Sequence, residues 1–441
     1  MNGRLLKLAL PGVLSLGSVF PVTGQVANES VPVVTLAEAR RRAERVSPAA
    51  IAADAQVETA VWERRAALAD LLTPQLEAGA TYIRFSDPFF NFGTAELSPS
   101  ATSATLQATY SVLGTGKLAE LKRARASLAT AAASQTASSF RTAWATDAAY
   151  FAVLAERELA RVAADRLRRA QQQLGVARVR VVAGEAIATD SLQLLLEVNR
   201  ARFAQLRSDS ALTVSRLNLG RQIGLHGPAD AAPLDTTVPP PLPLTVEAAI
   251  AELRTRGPEV QAARAAERRA DAVVGVARAG YWPDVTVGAT TGAYDAEFFP
   301  SALKRTQLQV AVSLPLWNGG ARELQFARAR AARDVATAER EERERAAAEA
   351  MTRAYHGYTT ARAGIELALV GATVATENYR VHTVRYREGA TTILDLLEAQ
   401  VALSEAEASL VQARYAARLA LAQIEMLLGR RIFEDINTQP R

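Results

Sequence analysis

The residues that could carry chemistry are few and dispersed in this chain of 441 residues. The histidines His226, His356 and His382 do not have the spacing of metal ligands. The chain has no cysteine, which excludes disulfides and a thiolate nucleophile. The segment 114–117 (GTGK) is similar to a phosphate-binding loop, but it lacks the first glycine of that motif, and Leu118 stands where serine or threonine is needed. The sequence therefore predicts neither an enzyme nor a bound cofactor or metal.

The elements around these residues occur twice, in the same order. Motifs at 34–36 (VTL), 47–48 (SP) and Pro74 return as 244–246 (LTV), 257–258 (GP) and Pro283, and Gly184 with Asp190 returns as Gly389 with Asp395. Each half is predicted to contain a helix, two strands, a very long helix, a turn and a returning helix. A repeat of about 200 residues is a duplicated structural unit rather than a solenoid module.

Charge and the N-terminus limit the possible partners and location. The net charge of +5 comes from 51 basic and 46 acidic residues. They are interspersed, as in 339–345 (EREERER), which is typical of solvated helix faces and argues against a nucleic-acid partner.

Arg4 and Lys7 precede an apolar run at 8–22, and Gly24 and Ala27 follow. This pattern predicts a cleaved signal peptide at 1–27. The alternative is a membrane anchor, but proline and glycine interrupt the run, which falls short of the ~20 residues that a span needs.

Four segments of about ten residues alternate apolar and polar side chains, the length and period of membrane strands. They are 75–83, 103–112, 284–293 and 306–316. Half-buried strands of a soluble sandwich have the same period, but the signal peptide favours a membrane barrel. The connections 84–102 and 295–305 contain aromatic residues that fit either a girdle at lipid headgroups or simple loop packing: Phe85, Phe89, Phe90, Phe92, Phe298 and Phe299.

Between the strands, the stretches 116–180 and 320–387 lack proline and have little glycine. Each predicts a helix of some 60 residues, roughly 90–100 Å long. The returning helix near the C-terminus has a heptad pattern typical of a coiled coil. Its first seam is Leu396, Leu403, Leu410, Ala417 and Ile424, and its second is Ala399, Ala406, Ala413, Ala420 and Leu427.

In this order and spacing, the motifs resemble those of the TolC-like outer-membrane efflux protein family. The resemblance covers about 34–430 and rests on 47–48, 257–258, 72–76 (LTPQL), 314–320 (LPLWNGG), 386–400 (YREGATTILDLLEAQ) and 427–429 (LLG). It implies a mainly α protein with a small β part, in which four strands per chain contribute to a homotrimeric 12-stranded outer-membrane barrel. A long periplasmic barrel of helical hairpins continues it. Physics independently favours several copies, because four strands cannot close a barrel and open edges are not tolerated in lipid.

The predicted organisation begins with the signal peptide at 1–27 and a first structural repeat at 28–227. A Pro-rich linker at 228–243 leads to a second repeat at 244–430, and a short tail follows at 431–441. The resemblance implies a location in the cell outer membrane, in contact with lipid, with the helices in the periplasm. It also implies two protein partners: a periplasmic adaptor protein and an inner-membrane transporter.

By the same resemblance, function lies at the periplasmic tip, where Gly184 and Gly389 form the turns. Asp395 and Glu398 are then expected to form acidic rings at a narrowed entrance, which attract cations. The alternative is that both acids only favour the start of the returning helix.

Family members also close the tip through polar contacts, and Asp190 and Tyr386 match positions in that lock. Thr391 departs from the pattern, because some relatives carry an arginine there.

The sequence thus predicts a passive exit duct for a tripartite efflux or secretion system. The alternative is a periplasmic or secreted coiled-coil scaffold with a small soluble sheet. The two differ in their need for detergent: the duct is expected to stay in solution only with detergent, whereas a scaffold purifies without it. Recovery of a monodisperse, detergent-free protein would rule out the duct.

Overall fold

The structure, a computed structural model, describes residues 31–91, 96–112, 115–234, 238–295 and 303–433. The predicted signal peptide at 1–27 lies outside the described residues, as do Phe92, Phe298, Phe299 and most of the C-terminal tail.

The two halves have the same order of elements. The first consists of β1 (Val33–Val34), α1 (Leu36–Val46), α2 (Pro48–Leu72), β2 (Gln75–Asn91), β3 (Glu96–Ser111), α3 (Thr115–Val182) and α4 (Ala188–Gln222). The second consists of β4 (Asp230–Ala231), α5 (Val246–Arg256), α6 (Pro258–Ala279), β5 (Asp284–Asp295), β6 (Leu303–Ser313), α7 (Ala321–Arg387) and α8 (Ile393–Leu428). The internal duplication is therefore structural.

The repeated sequence motifs are helix starts. The hydroxyl of Thr35 accepts a hydrogen bond from the Glu38 N–H at the start of α1, and Thr245 does the same for Ala248 in α5, each at 3.3 Å. A threonine cap of this kind satisfies a backbone donor that the helix itself leaves unpaired. Pro48 and Pro258 occupy the first turn of α2 and α6, where a missing N–H costs nothing.

The four long strands form one antiparallel sheet in the order β2-β3-β5-β6. Its register aligns Leu76 with Ala108, Ala289 and Leu308 on one face, while Gln107 pairs with Glu77 and Thr290 on the other. The predicted alternation thus holds across all four strands. The apolar side chains of this face are strongly exposed in the single chain: Leu76 is 72%, Leu308 75% and Val312 69% exposed.

Strands β2 and β3 are longer than the predicted ten residues, at 17 and 16 residues. Phe85, Phe89 and Phe90 therefore lie in β2, and their predicted place in a connection is wrong. The pairing with β3 continues beyond a register shift between Arg84 and Phe89. An irregularity of this kind adds residues to one strand, and a strict two-residue period cannot detect it.

The two long helices are confirmed. Helix α3 has 68 residues and α7 has 67, so each is about 100 Å long. We call α3 with α4 the first hairpin and α7 with α8 the second hairpin. The hairpins meet where α3 packs against α8, which gives the lateral order α4-α3-α8-α7. None of the predicted seam positions of α8 is exposed, and Leu396, Leu403 and Ile424 are almost completely buried.

The segment predicted as a Pro-rich linker packs along the middle of the long helices. Its strand β4 pairs in parallel with β1. The Tyr150 hydroxyl of α3 donates to the Ala232 carbonyl at 2.8 Å, and the Tyr358 hydroxyl of α7 donates to the Pro240 carbonyl at 2.6 Å. Burial raises the pKa of Tyr150 to about 12, so this donor stays protonated at any physiological pH. The segment thereby joins α3 to α7 near Tyr150 and Tyr358, a level of the long helices that we call the waist.

No helix within the described ranges is both long enough and apolar enough to cross a membrane.

The close approach of α4 to the segment after it generates a stability prediction. A Cβ at Gly220 would lie 2.0 Å from the Gly227 carbonyl oxygen, so Gly220→Ala must displace backbone and is expected to cost about 1–3 kcal/mol. Gly275 in α6 has open space around it, and Gly275→Ala is expected to be neutral or to stabilise by ~0.5–1 kcal/mol. Thermal unfolding followed by circular dichroism compares them. Equal midpoints for the two variants would contradict the packing.

Candidate functional site: the tip of the helical hairpins

The turns of the two hairpins meet at one end of the helical part, which we call the tip. A small hydrophobic cluster there takes residues from all four helices: Leu174, Ala177, Leu194, Tyr386, Ile393 and Leu396. The structure therefore brings together both of the turns that the sequence placed at the tip.

Gly184 and Gly389 lie in these turns with positive φ values of 78° and 76°. Backbone hydrogen bonds close each turn, from Glu185 N–H to the Arg180 carbonyl at 2.9 Å and from Ala390 N–H to the Arg385 carbonyl at 2.8 Å. Residues with a Cβ rarely adopt this left-handed conformation, which explains glycine at both positions.

Asp395 is engaged in capping α8. Its Oδ2 accepts hydrogen bonds from the Thr391 hydroxyl at 2.8 Å, the Thr392 hydroxyl at 2.7 Å and the Thr392 N–H at 3.0 Å. The Thr392 hydroxyl in turn accepts from the Asp395 N–H at 3.3 Å, which completes a capping box. The bonds from Thr392 and then Thr391 lower the pKa of Asp395 below its ordinary value. The Asp395 carboxylate thus caps the helix in its ionised form. A role at the start of the helix therefore does not prevent it from also contributing a negative charge to an acidic ring.

Glu398 lies one helical turn further along α8 and is exposed. Residues three apart share a helix face, so Glu398 and Asp395 point to the same side of the second hairpin. Thr391 contributes its hydroxyl to the Asp395 cap.

Tyr386 and Asp190 are brought close together across the two hairpins. The Tyr386 side chain is buried, with 1% exposure, and burial raises its pKa. The Asp190 carboxylate raises that pKa further. The Tyr386 hydroxyl nevertheless has no partner within hydrogen-bond geometry among the described residues. Asp190 lies near this hydroxyl and acts on it mainly through its charge.

Above the tip, the seam between the hairpins is polar. Gln400 of α8 is fully buried, and neither atom of its amide has a hydrogen-bond partner in the described part of the chain. Gln173 of α3 reaches the Tyr379 hydroxyl of α7 at 3.3 Å, and Arg169 pairs with Glu407 of α8 at 2.9 Å. Buried polar atoms without partners cost free energy, so this seam holds the hairpins together less firmly than an apolar seam would.

Sequence reasoning missed Arg180, whose side chain lies against Tyr386. The internal repeat contains the signal: Arg180 stands four residues before Gly184, as Arg385 stands four residues before Gly389.

Comparison with known proteins agrees with this architecture. The family model described as outer membrane efflux protein matches residues 249–430, which is most of the second half. Protein CyaE of Bordetella pertussis is 27% identical over 262 residues, a match that covers 57% of this chain and about half (54%) of CyaE.

Two solved structures have the same fold over almost the whole chain. The CmeC outer membrane channel of Campylobacter jejuni is 14% identical, with a TM-score of 0.79, over 91% of this chain and 87% of CmeC. The open state of the Neisseria gonorrhoeae MtrE outer membrane channel is 20% identical, with a TM-score of 0.75, over 91% of each chain.

The fold is therefore that of the TolC-like outer-membrane channels, and the second half has the sequence pattern of the outer membrane efflux proteins. The resemblance found in the sequence is confirmed. Outer-membrane location with a periplasmic helical part is that of the family, whose members are channels and not enzymes.

The capping box generates a prediction about local stability. Asp395→Ala removes the acceptor for the Thr392 N–H, so amide hydrogen exchange in the first turn of α8 is expected to accelerate. Glu398→Ala, on the same face but outside the cap, serves as the control and is expected to leave exchange there unchanged. Equal exchange in both variants would show that Asp395 does not hold the start of the helix.

Proposed function

We propose that this chain is one subunit of a homotrimeric outer-membrane exit duct for an efflux or secretion system, and that the tip is its gate. The observation that carries the proposal is that both the sheet and the helical wall end in uncovered edges. In the sheet these are β2 and β6, and in the wall they are α4 and α7.

Both edge helices carry exposed apolar residues. They are Leu192, Leu196, Phe203, Leu206, Val214 and Leu217 on α4, and Leu367, Val370 and Val374 on α7. Large exposed apolar surfaces of this kind mark sites of association. A ring in which α4 of one copy covers α7 of the next, and β2 pairs with β6, covers these four edges at once. The same contact repeated around an axis is how cyclic oligomers close.

The number of strands favours three copies. Two chains supply eight strands, and side chains fill the interior of a barrel of that size. Three chains supply twelve and leave room for a conduit. The apolar sheet face, with Leu76, Leu308 and Val312 exposed, then contacts lipid. A soluble scaffold would leave that face in water, and we therefore favour the duct.

At the tip, three copies of Asp395 and Glu398 form two acidic rings. Carboxylate rings attract cations and repel anions. The hydrogen bonds that cap α8 lower the pKa of Asp395 in each chain, which favours the charged form that the ring needs. The lock formed by Asp190 and Tyr386 lies beside the polar seam, so the hairpins separate at the tip while the waist stays closed. The fold likeness to a channel described in its open state is consistent with two states.

A channel of this kind has no energy source of its own. We propose that an inner-membrane transporter supplies the energy, and that a periplasmic adaptor joins it to the tip.

The acidic rings predict cation block. Purified trimers in planar bilayers are expected to form small, cation-selective channels that divalent or trivalent cations block from the tip side. Asp395→Asn keeps an oxygen for the helix cap and removes only the charge, so it is expected to relieve the block. Glu405→Gln, on the exposed side of α8 and away from the tip, is the control. Channels whose block is the same in Asp395→Asn would remove the ring from the proposal, and no channels at all would remove the duct.

The lock predicts an effect on conductance. Asp190→Ala combined with Tyr386→Phe removes the charge and the hydroxyl that face each other, and is expected to raise single-channel conductance. Unchanged conductance in the double variant would exclude this pair as the lock.

A further inference from the structure

We infer that Arg180 ties the two hairpins together at the tip, through the backbone and the ring of Tyr386. This inference rests on the proposed function of the tip as a gate.

The Arg180 side chain reaches from the first hairpin onto the second. Its Nη1 donates a hydrogen bond to the Tyr386 carbonyl oxygen, and its guanidinium carbon lies 5.2 Å from the centroid of the Tyr386 ring. Its Nη2 donates to the Glu185 carbonyl at 3.3 Å. One side chain therefore contacts the end of α7 and the turn that follows α3, and it is only 13% exposed.

The acceptor is well placed for a cation. Tyr386 is the last residue but one of α7, and the last four carbonyls of a helix have no donor within the helix. These carbonyls also form the negative end of the helix dipole. The Gly389 N–H shares the Tyr386 carbonyl at 3.1 Å. A guanidinium can stack on the ring and donate a directed hydrogen bond at the same time, which an ammonium group does less well.

The turn glycine leaves room for this contact. A Cβ at Gly389 would lie 3.3 Å from Nη2 of Arg180, tighter than ordinary van der Waals contact. Glycine at this position therefore serves two purposes, since it allows the positive φ and admits the guanidinium.

The tie does not depend on the side chains of the predicted lock. Arg180 bonds a backbone carbonyl, which Tyr386→Phe leaves in place, and it stacks on a ring that phenylalanine also supplies. Thr391 cannot replace it, because its hydroxyl is occupied by Asp395. Loss of Arg180 is therefore expected to loosen the tip more than loss of the Asp190–Tyr386 pair.

The test combines conductance with a direct distance. The chain contains no cysteine, so spin labels at Ala188→Cys and Ala390→Cys, both exposed, report the separation of the two turns in purified trimers. Arg180→Ala is compared with the parent, with Arg180→Lys, and with Arg178→Ala as an exposed control on the same helix.

Hydrogen bonds to charged groups are strong enough that Arg180→Ala is expected to shift the ratio of closed to open tips by about tenfold. Conductance should rise and the label distance should lengthen. Arg180→Lys should give an intermediate result, and Arg178→Ala should match the parent.

Channels in which Arg180→Ala changes neither conductance nor label distance would overturn the inference. A lysine variant identical to alanine would show that charge contributes nothing. If the parent forms no channels, the proposed duct fails, and the label distance still decides whether Arg180 ties the turns. If Arg180→Ala does not fold, a lysine variant with the distance of the parent would also contradict the stacked contact.

Discussion

The structure depends on one constraint: a single chain cannot cover its own edges. The sheet ends in β2 and β6, and the row of hairpin helices ends in α4 and α7. The sheet and the helical wall therefore each leave two edges uncovered. In the proposed outer-membrane location the edge strands cannot remain unpaired, because their backbone groups would have no partner in lipid. The apolar stripes on α4 and α7 meet the same difficulty in water. The proposed ring of copies removes both costs, and because the chain is duplicated, each copy would supply two similar hairpins to it.

Within this arrangement the firmness of packing changes along the long helices. At the waist, Asp147 of α3 is buried and forms a bidentate pair with Arg40 of α1, and the segment between the repeats is bonded to both long helices. At the tip a small hydrophobic cluster joins the hairpins, but the polar contacts just above it are partly unsatisfied, as at Gln400. Satisfied polar pairs rigidify a structure, whereas buried polar atoms without partners cost free energy. The proposed gate uses this contrast, with firmer packing at the waist and hairpins that separate at the tip.

Much of the fold is predictable from the sequence because it has strong periodicities. The heptads of α8, the absence of proline in α3 and α7, and the alternation in four strands all follow directly from side-chain packing. The extension of β2 to Asn91 is not predictable, because it passes through a register shift that hides the two-residue period. At the tip, the two turn glycines are predictable, because a tight reversal between antiparallel helices favours a residue that can adopt positive φ. The repeat marks Arg180, which stands four residues before Gly184 as Arg385 does before Gly389, but its contact is not predictable, because the acceptor is a backbone carbonyl that any residue supplies. The roles of Asp395 and Glu398 remain proposals, and the structure adds that Asp395 also caps its helix.

The central claim is that three copies of this chain close into one ring, and the mass of the detergent-extracted particle tests it most directly. Native mass spectrometry is expected to release a particle of three chains that survives removal of detergent in the gas phase. Charged substitutions on α4, such as Phe203→Glu, should reduce that particle to single chains, because Phe203 is exposed in one chain and covered in the ring. A single chain that is stable without detergent, with the same mass for Phe203→Glu, would contradict the account.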